Sequence, residues 1–281
     1  MATLMEGGPL AVRIRAEVAE EVRELGELGL ATIQVGEDEA SRIYLRRKHE
    51  AAAEAGIASH DHKLPAETSE AELLALIRDL NADESIDGIL VQLPLPDHLD
   101  EARAISAVDP RKDVDGFHPQ NAGRLYLGRP TLVPATPLGI MALLAEHRIH
   151  LEGARAVVVG RSDIVGKPVA LLLLGANATV TICHSRTAEL QRHTLDADVL
   201  VAAVGVPGII APDMVKQGAV VVDVGINRTE AGVVGDVDPD VAETAAFLTP
   251  VPGGVGPMTI AMLLRNTVRA ARYRRGLLAF P

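Results

Sequence analysis

One pattern recurs along this chain: a short run rich in apolar residues, a turn that in four of six cases begins with glycine, then a stretch with helical spacing. The runs fall at Leu30–Val35, in the first half of Asp87–Pro96, and at Ala154–Val159, Ala178–Cys183, Val199–Val204 and Ala219–Val224. The Ile89–Val91 run, with no polar alternation, suits a strand covered on both faces, and helical crossovers between parallel strands supply that cover. Strands alternating with short helices predict an α/β protein built on parallel, doubly wound sheet. With 281 residues the chain suits two domains, each able to bury a core.

Composition narrows the partners. A formal net charge of -11 argues against a general nucleic-acid binder, although a local basic pocket for a small anion is compatible with it. Aromatics make up 2% and Trp is absent, so base-stacking platforms are not expected and Ala, Val and Leu must fill the cores. A single cysteine, Cys183, permits no internal disulfide and fits a reducing compartment; its place at a strand end reads as packing. The first residues, MATLMEGGPL, lack a signal-peptide pattern, and no apolar stretch reaches the roughly 18 residues of a spanning helix. No membrane association is expected.

Ala11–Leu28 reads as an amphipathic helix, with Val12, Val18, Val22 and Leu25 near helical spacing. After the Leu30–Val35 strand, Ser41 is expected as a helix N-cap and Gly56 as the stop, which puts Tyr44 and Lys48 on one helix face. On spacing alone that pair reads as a contact on a solvated face. It also lies just past the C-terminal end of a strand, where an α/β protein places proton-transfer groups. Ile57–Leu64 is a strand carrying His60 and His62 on one face; no third ligand stands nearby, and metal binding is not expected. Ser69 to Glu72 is a capping box opening a helix to Leu80. Gln92 interrupts an apolar strand at its end and needs partners, for which Tyr44 and Lys48 are candidates. Asp115 precedes Gly116 in a charged loop, a common turn arrangement. Thr136-Pro137 is expected to open a helix through Glu146, with Thr136 as cap.

Gly153–Gly175 resembles a nucleotide-binding βα unit, although its Gly160–Gly166 turn lacks the middle glycine of the dinucleotide fingerprint. It is not a Walker loop, because Pro168 stands where a magnesium-binding Ser or Thr belongs. The next strand ends in His184-Ser185-Arg186 rather than in the acid that binds a free ribose hydroxyl. Arg161, Ser162, Ser185 and Arg186 supply two guanidiniums and two hydroxyls, which suit a 2′-phosphate and hence NADP. Thr249–Met258, TPVPGGVGPM, reads as a rigid loop open to close backbone approach, and Thr259–Tyr273 as a last long helix.

The stretches VGEDEASRIYLRRK, DGILVQLPLP with KDVDGFHPQNAGRL, VVVGRSDIVGKPVA and TPVPGGVGPMTIAML occur in one order over nearly the whole chain. Together they resemble the bifunctional methylenetetrahydrofolate dehydrogenase/methenyltetrahydrofolate cyclohydrolase family. The resemblance implies two α/β domains: a parallel-sheet folate-binding catalytic domain of residues 1–136 plus 259–281, and a Rossmann-like NADP-binding domain of residues 137–258, facing each other across a cleft. It implies catalytic roles for Lys48, Tyr44, Gln92 and Asp115. Val91, Leu93, Pro252, Gly253, Gly254, Val255 and Gly256 would join them around a tetrahydrofolate derivative. NADP would lie on Gly160, Arg161, Ser162, Ser185, Arg186, Ile226 and Thr136. A cytoplasmic homodimer serving one-carbon metabolism, and through it purine, methionine and histidine biosynthesis, is the further implication. Two alternatives remain at this level: a member keeping the dehydrogenase alone, and another two-domain NADP-dependent dehydrogenase. One departure is visible. Ala135 stands where many members have Cys, but none of the expected steps needs a thiol.

Overall fold

The computed structural model describes residues 1–36, 39–230 and 232–281, with the backbone alone for 39–44. The chain runs β1 (Thr3–Leu4), α1 (Gly7–Leu25), β2 (Leu28–Val35), α2 (Glu39–Glu54), β3 (Ile57–Leu64), α3 (Glu70–Ala82), β4 (Gly88–Val91), α4 (Glu101–Ala107), α5 (Pro119–Tyr126) and α6 (Ala135–Glu146). It continues β5 (Arg155–Val159), α7 (Gly166–Gly175), β6 (Thr179–Cys183), α8 (Leu190–Thr194), β7 (Val199–Ala202), β8 (Val220–Asp223), β9 (Asn227–Thr229), β10 (Gly232–Val234), β11 (Phe247–Leu248) and α9 (Val255–Arg274). Two compact units result, one of Met1–Val12 with Thr136–Thr259 and the other of Arg13–Ala135 with Ile260–Pro281. The first dozen residues therefore sit with the middle of the chain, not with the segment expected to bind folate. The reason is β1, which pairs in parallel with β11, Thr3 opposite Phe247.

The unit containing residues 136–259 carries a six-stranded sheet ordered β1-β11-β8-β7-β5-β6, in which every pairing is parallel. From β5 the chain adds β6 on one side and then returns to add β7 on the other, so the strand order reverses beside β5. Open parallel sheets take ligands outside the carboxyl ends of the strands at such a point. Val157, Val159, Cys183, Leu200, Ala202 and Val221 form the centre of this core, each at most 3% exposed. The single thiol is thus a buried strand-end packing group.

The other unit holds a three-stranded parallel sheet, β3-β2-β4. All eight residues of β2 are buried, Thr32 and Gln34 included, and so are all four of β4, as its unalternating apolar run requires. Ser69 caps α3 through the expected capping box, its hydroxyl accepting from Glu72 N–H and its own N–H donating to the Glu72 carboxylate. Gly56 ends the α2 segment at φ +78°, a conformation that favours glycine.

Several helix starts differ from expectation. α2 begins at Glu39 and α6 at Ala135, so Ser41 and Thr136 lie inside the first turns rather than at the caps. α1 begins at Gly7, four residues before the expected start. Gly7 N–H donates to Gly253 O at 2.9 Å, and a Cβ on Gly7 would lie 1.9 Å from Gly254 O. That backbone contact pins the first turn, and Pro9 sits within it, where no intrahelical donor is needed. α9 likewise begins at Val255, so Val255 and Gly256 are helical and the rigid turn is confined to the residues before them. No helix among the described residues is long and apolar enough to cross a membrane.

Candidate active site and nucleotide site

α2 buries Leu45, Lys48, Ala51 and Ala52, and Ala55 just past its end is buried too, so a lysine stands within an apolar stripe. Lys48 is 7% exposed, and its ammonium donates to Gln92 Oε1 at 3.4 Å. Gln92 follows β4, its N–H donating to Ile33 O at 2.8 Å and its Nε2 to Leu93 O at 2.7 Å. The amide is thereby fixed with its oxygen toward the amine. Burial pushes the Lys48 pKa below its ordinary value, and the opposing pull of Asp115 is smaller. Tyr44 lies one turn before Lys48 in α2, and its side chain falls outside the described residues.

Asp115 is held by a loop built with side chains that the sequence reading passed over. Ile89 N–H donates to Lys112 O at 2.7 Å, which docks the loop on the edge of β4. The buried Asp113 carboxylate accepts from Phe117 N–H at 3.2 Å, His118 N–H at 2.8 Å and Asn121 Nδ2 at 2.8 Å. Asn121 in turn accepts from the Thr131 hydroxyl at 2.6 Å. From α9, Asn266 Nδ2 donates to Val114 O and Val133 O, both at 2.8 Å. Gly116 sits at φ +72°, and a Cβ there would come within 2.5 Å of the Val133 backbone, so the turn after Asp115 requires glycine. Asp115 itself is half-buried, and its pKa is pushed up to about 6. Desolvation raises it most, the Lys48 charge lowers it, and the Asp113 charge raises it again. Lys48 and Asp115 therefore have their ordinary pKa values moved toward neutrality from opposite sides, as at proton-transfer sites.

In the other unit, Gly160 follows β5 at φ +129°, and a Cβ there would sit 2.2 Å from Ala203 O just past β7. A Cβ on Gly166 would sit 2.4 Å from Gly160 O. These two glycines let the turn fold tightly over the strand ends, which is the shape a dinucleotide cradle needs. The Ser162 hydroxyl accepts from Val165 and Gly166 N–H at 3.2 Å each, so it also closes the turn into α7. Val159 pairs with Cys183, so Gly160-Arg161-Ser162 and His184-Ser185-Arg186 leave the same end of adjacent strands. Arg161, Ser162, Ser185 and Arg186 are all exposed, and Ile226, after β8, is 63% exposed. The residues present fit a phosphorylated dinucleotide: room for its backbone, and cations and hydroxyls for its phosphates. Thr136 lies within bonding distance of Thr259, hydroxyl to hydroxyl at 2.9 Å. His49 pairs with Asp61 at 2.8 Å, and no group of three or more potential metal ligands occurs among the described residues.

A parallel-sheet unit with a buried lysine of lowered pKa, together with a doubly wound unit whose glycine turn suits a dinucleotide, defines the class: a two-domain α/β protein of the dehydrogenase kind. Two family models cover most of the chain. The tetrahydrofolate dehydrogenase/cyclohydrolase catalytic domain matches residues 5–115, and the NAD(P)-binding domain of the same family matches residues 134–275. The chain is 57% identical to the bifunctional protein FolD of Moorella thermoacetica, over 96% of this chain and 99% of that protein. Among solved structures, the Campylobacter jejuni bifunctional FolD is 48% identical with TM-score 0.96, covering 98% of this chain and 100% of that one. A Trypanosoma brucei methylenetetrahydrofolate dehydrogenase-cyclohydrolase, solved with NADP cofactor and an inhibitor, is 40% identical with TM-score 0.93 and 99% coverage of both chains. The chain belongs to the tetrahydrofolate dehydrogenase/cyclohydrolase family.

Proposed function

We propose that this protein oxidises 5,10-methylenetetrahydrofolate with NADP and hydrolyses the resulting 5,10-methenyl cation to 10-formyltetrahydrofolate. The buried Lys48 amine, hydrogen-bonded to Gln92 and electrostatically coupled to Asp115, carries this reading. NADP, when bound, supplies the hydride acceptor. The chain supplies the rest. Asp115 accepts paired N–H bonds from the amino edge of the pterin and fixes its orientation. Val91 and Leu93 flank it, and the Pro252–Gly256 segment borders the folate. Lys48, its proton affinity reduced by desolvation, takes a proton from the attacking water and returns it as the ring opens. Gln92 aims the amine, and Tyr44, from the same helix face, tunes it.

Gly160, Arg161, Ser162, Ser185, Arg186, Ile226 and Thr136 hold the cofactor, with Arg161 and Arg186 selecting the 2′-phosphate. In this reading residues 137–258 form the cofactor domain, and the remainder from Arg13 onward forms the catalytic domain. The protein acts as a cytoplasmic homodimer without nucleic-acid partners, feeding one-carbon units to purine, methionine and histidine synthesis. The buried lone thiol and net charge of -11 support that setting. An assay following NADPH and methenyl-folate together tests the whole. Methenyl-folate should form and then decay, with NADP preferred over NAD. Formation without decay would leave a dehydrogenase alone, and no formation would refute the proposal.

A further inference from the structure

The nucleotide unit contains a second pair of buried acids that the chemistry above leaves unused. Asp223 ends β8 and Asp236 follows β10; they are 4% and 0% exposed. No cation pairs with either among the described residues. A buried carboxylate in that position is tolerated only where N–H groups fill its lone pairs. Both acids are filled this way. Asp236 Oδ2 accepts from Val204 N–H at 2.7 Å and Gly205 N–H at 3.0 Å. Its Oδ1 accepts from Val206 N–H and Asn227 Nδ2, both at 2.9 Å. Asp223 Oδ1 accepts from Gly225 N–H and from the backbone N–H of Asp236, both at 2.9 Å, and its Oδ2 from Val237 N–H at 3.0 Å. The two acids thus act in series. Asp223 holds the Asp236 backbone, and the Asp236 carboxylate gathers three consecutive N–H groups of the loop after β7.

That gathering resembles an anion nest filled by the protein's own side chain. The surrounding backbone is cut to fit it. A Cβ on Gly225 would lie 2.3 Å from Asp236 Oδ1, and one on Gly235 would lie 1.7 Å from Asp223 Oδ2. Gly205 stands at φ +69° within the gathered loop. β7 pairs with β5 and β8 with β7, so both loops leave the carboxyl edge of the sheet beside the point where the strand order reverses. Parallel sheets of this kind receive a dinucleotide there. The loop after β8 carries the exposed Ile226 between Gly225 and Asn227, and both of those neighbours bond to this acid pair.

We infer that Asp236 is a positioning residue for the nicotinamide cofactor: its carboxylate locks the Val204–Val206 loop to Asn227, and so fixes the two loop surfaces against which the cofactor rests. This builds on the reading that the unit binds NADP. Asp236 touches neither cofactor nor substrate, and acts by removing loop conformations that binding would otherwise have to select.

The full-length chain, its D236N variant and its N227A variant test this by steady-state kinetics and by NADP calorimetry. D236N keeps the volume but turns an amide N–H₂ toward two N–H donors. Its KM and Kd for NADP should rise about twentyfold, with kcat at saturating NADP falling no more than threefold and KM for methylene-folate within twofold. N227A removes one donor of the four and should raise the same two constants about three- to fivefold, which decides the matter if D236N does not fold. Unchanged NADP constants in a folded variant would overturn the inference, as would equal losses for NADP and folate. If the unaltered chain itself bound no NADP, the functional reading would fall and this inference with it.

Discussion

The two halves of the candidate machinery solve different problems with different materials. Around Lys48 the working groups are charges taken out of water. The amine lies in an apolar helix stripe, Asp115 is pushed up to about 6, and the buried Asp113 in the same loop is held by backbone N–H groups and Asn121. Around Gly160 the working parts are backbone shape and exposed side chains, with buried acids used only as internal ties. The contrast follows from the tasks. Moving a proton near neutral pH needs pKa values displaced from their solution positions, and burial is the strongest lever for that. Holding an anionic dinucleotide needs close approach and cations that stay charged, so those cations remain at the surface.

The sharpest way to break this division is Lys48→Met. The division holds that the lysine is costly to the fold and essential to the hydrolysis. Hydrolysis of methenyl-folate should fall at least about a thousandfold while the melting temperature stays level or rises, because an unfavourable buried ammonium is gone. Retained hydrolysis in stopped-flow absorbance would remove the amine from the mechanism. Next in size, replacing both Arg161 and Arg186 by Ala should weaken NADP about tenfold to a hundredfold and NAD less than threefold, since only the 2′-phosphate loses partners. Equal losses for the two cofactors would show that these guanidiniums serve the shared pyrophosphate instead.

The smallest expected effect is on stability. Because the folded pKa of Asp115 lies above the unfolded value of about 3.9, the folded state holds a proton that the unfolded state releases between about pH 4 and 6. Stability is therefore lost as pH climbs through that window. Asp115→Asn should recover about 1 kcal/mol at pH 7.5, allowing for partial solvent screening, and almost nothing at pH 4, while folate affinity drops about tenfold. Scanning calorimetry at the two pH values checks the sign, and titration with folate checks the cost.

Much of this was legible from local pattern. The buried strands, the Ser69 capping box, the Gly56 stop and the Gly160–Gly166 turn each follow from a few neighbouring residues. The fold's long-range ties were not. β1 is two residues long and pairs with a strand some 240 positions away, which no periodicity announces. Asn266 reaches back 152 positions to hold the Asp115 loop, and nothing in its helix marks it for that role. Helix starts depart from their cap signals where tertiary contact overrides them, most plainly at Gly7, whose first turn is set by the backbone of Gly253 and Gly254. The spacing of Tyr44 and Lys48 gives the shared face, whereas the burial that lowers the lysine's pKa comes with Leu45 and the alanines after it.

Asp87 stands immediately before β4, entirely buried, with Arg274 at 2.6 Å and Arg275 at 3.2 Å. The four-residue strand that begins there ends immediately before Gln92. A clipped tail that lost those two arginines would strand a carboxylate in the dark of the protein. The slack would then travel down a very short lever to the amide that accepts from the Lys48 ammonium. Proteolytic trimming at this end of the molecule should therefore silence hydrolysis well before it unravels the sheet.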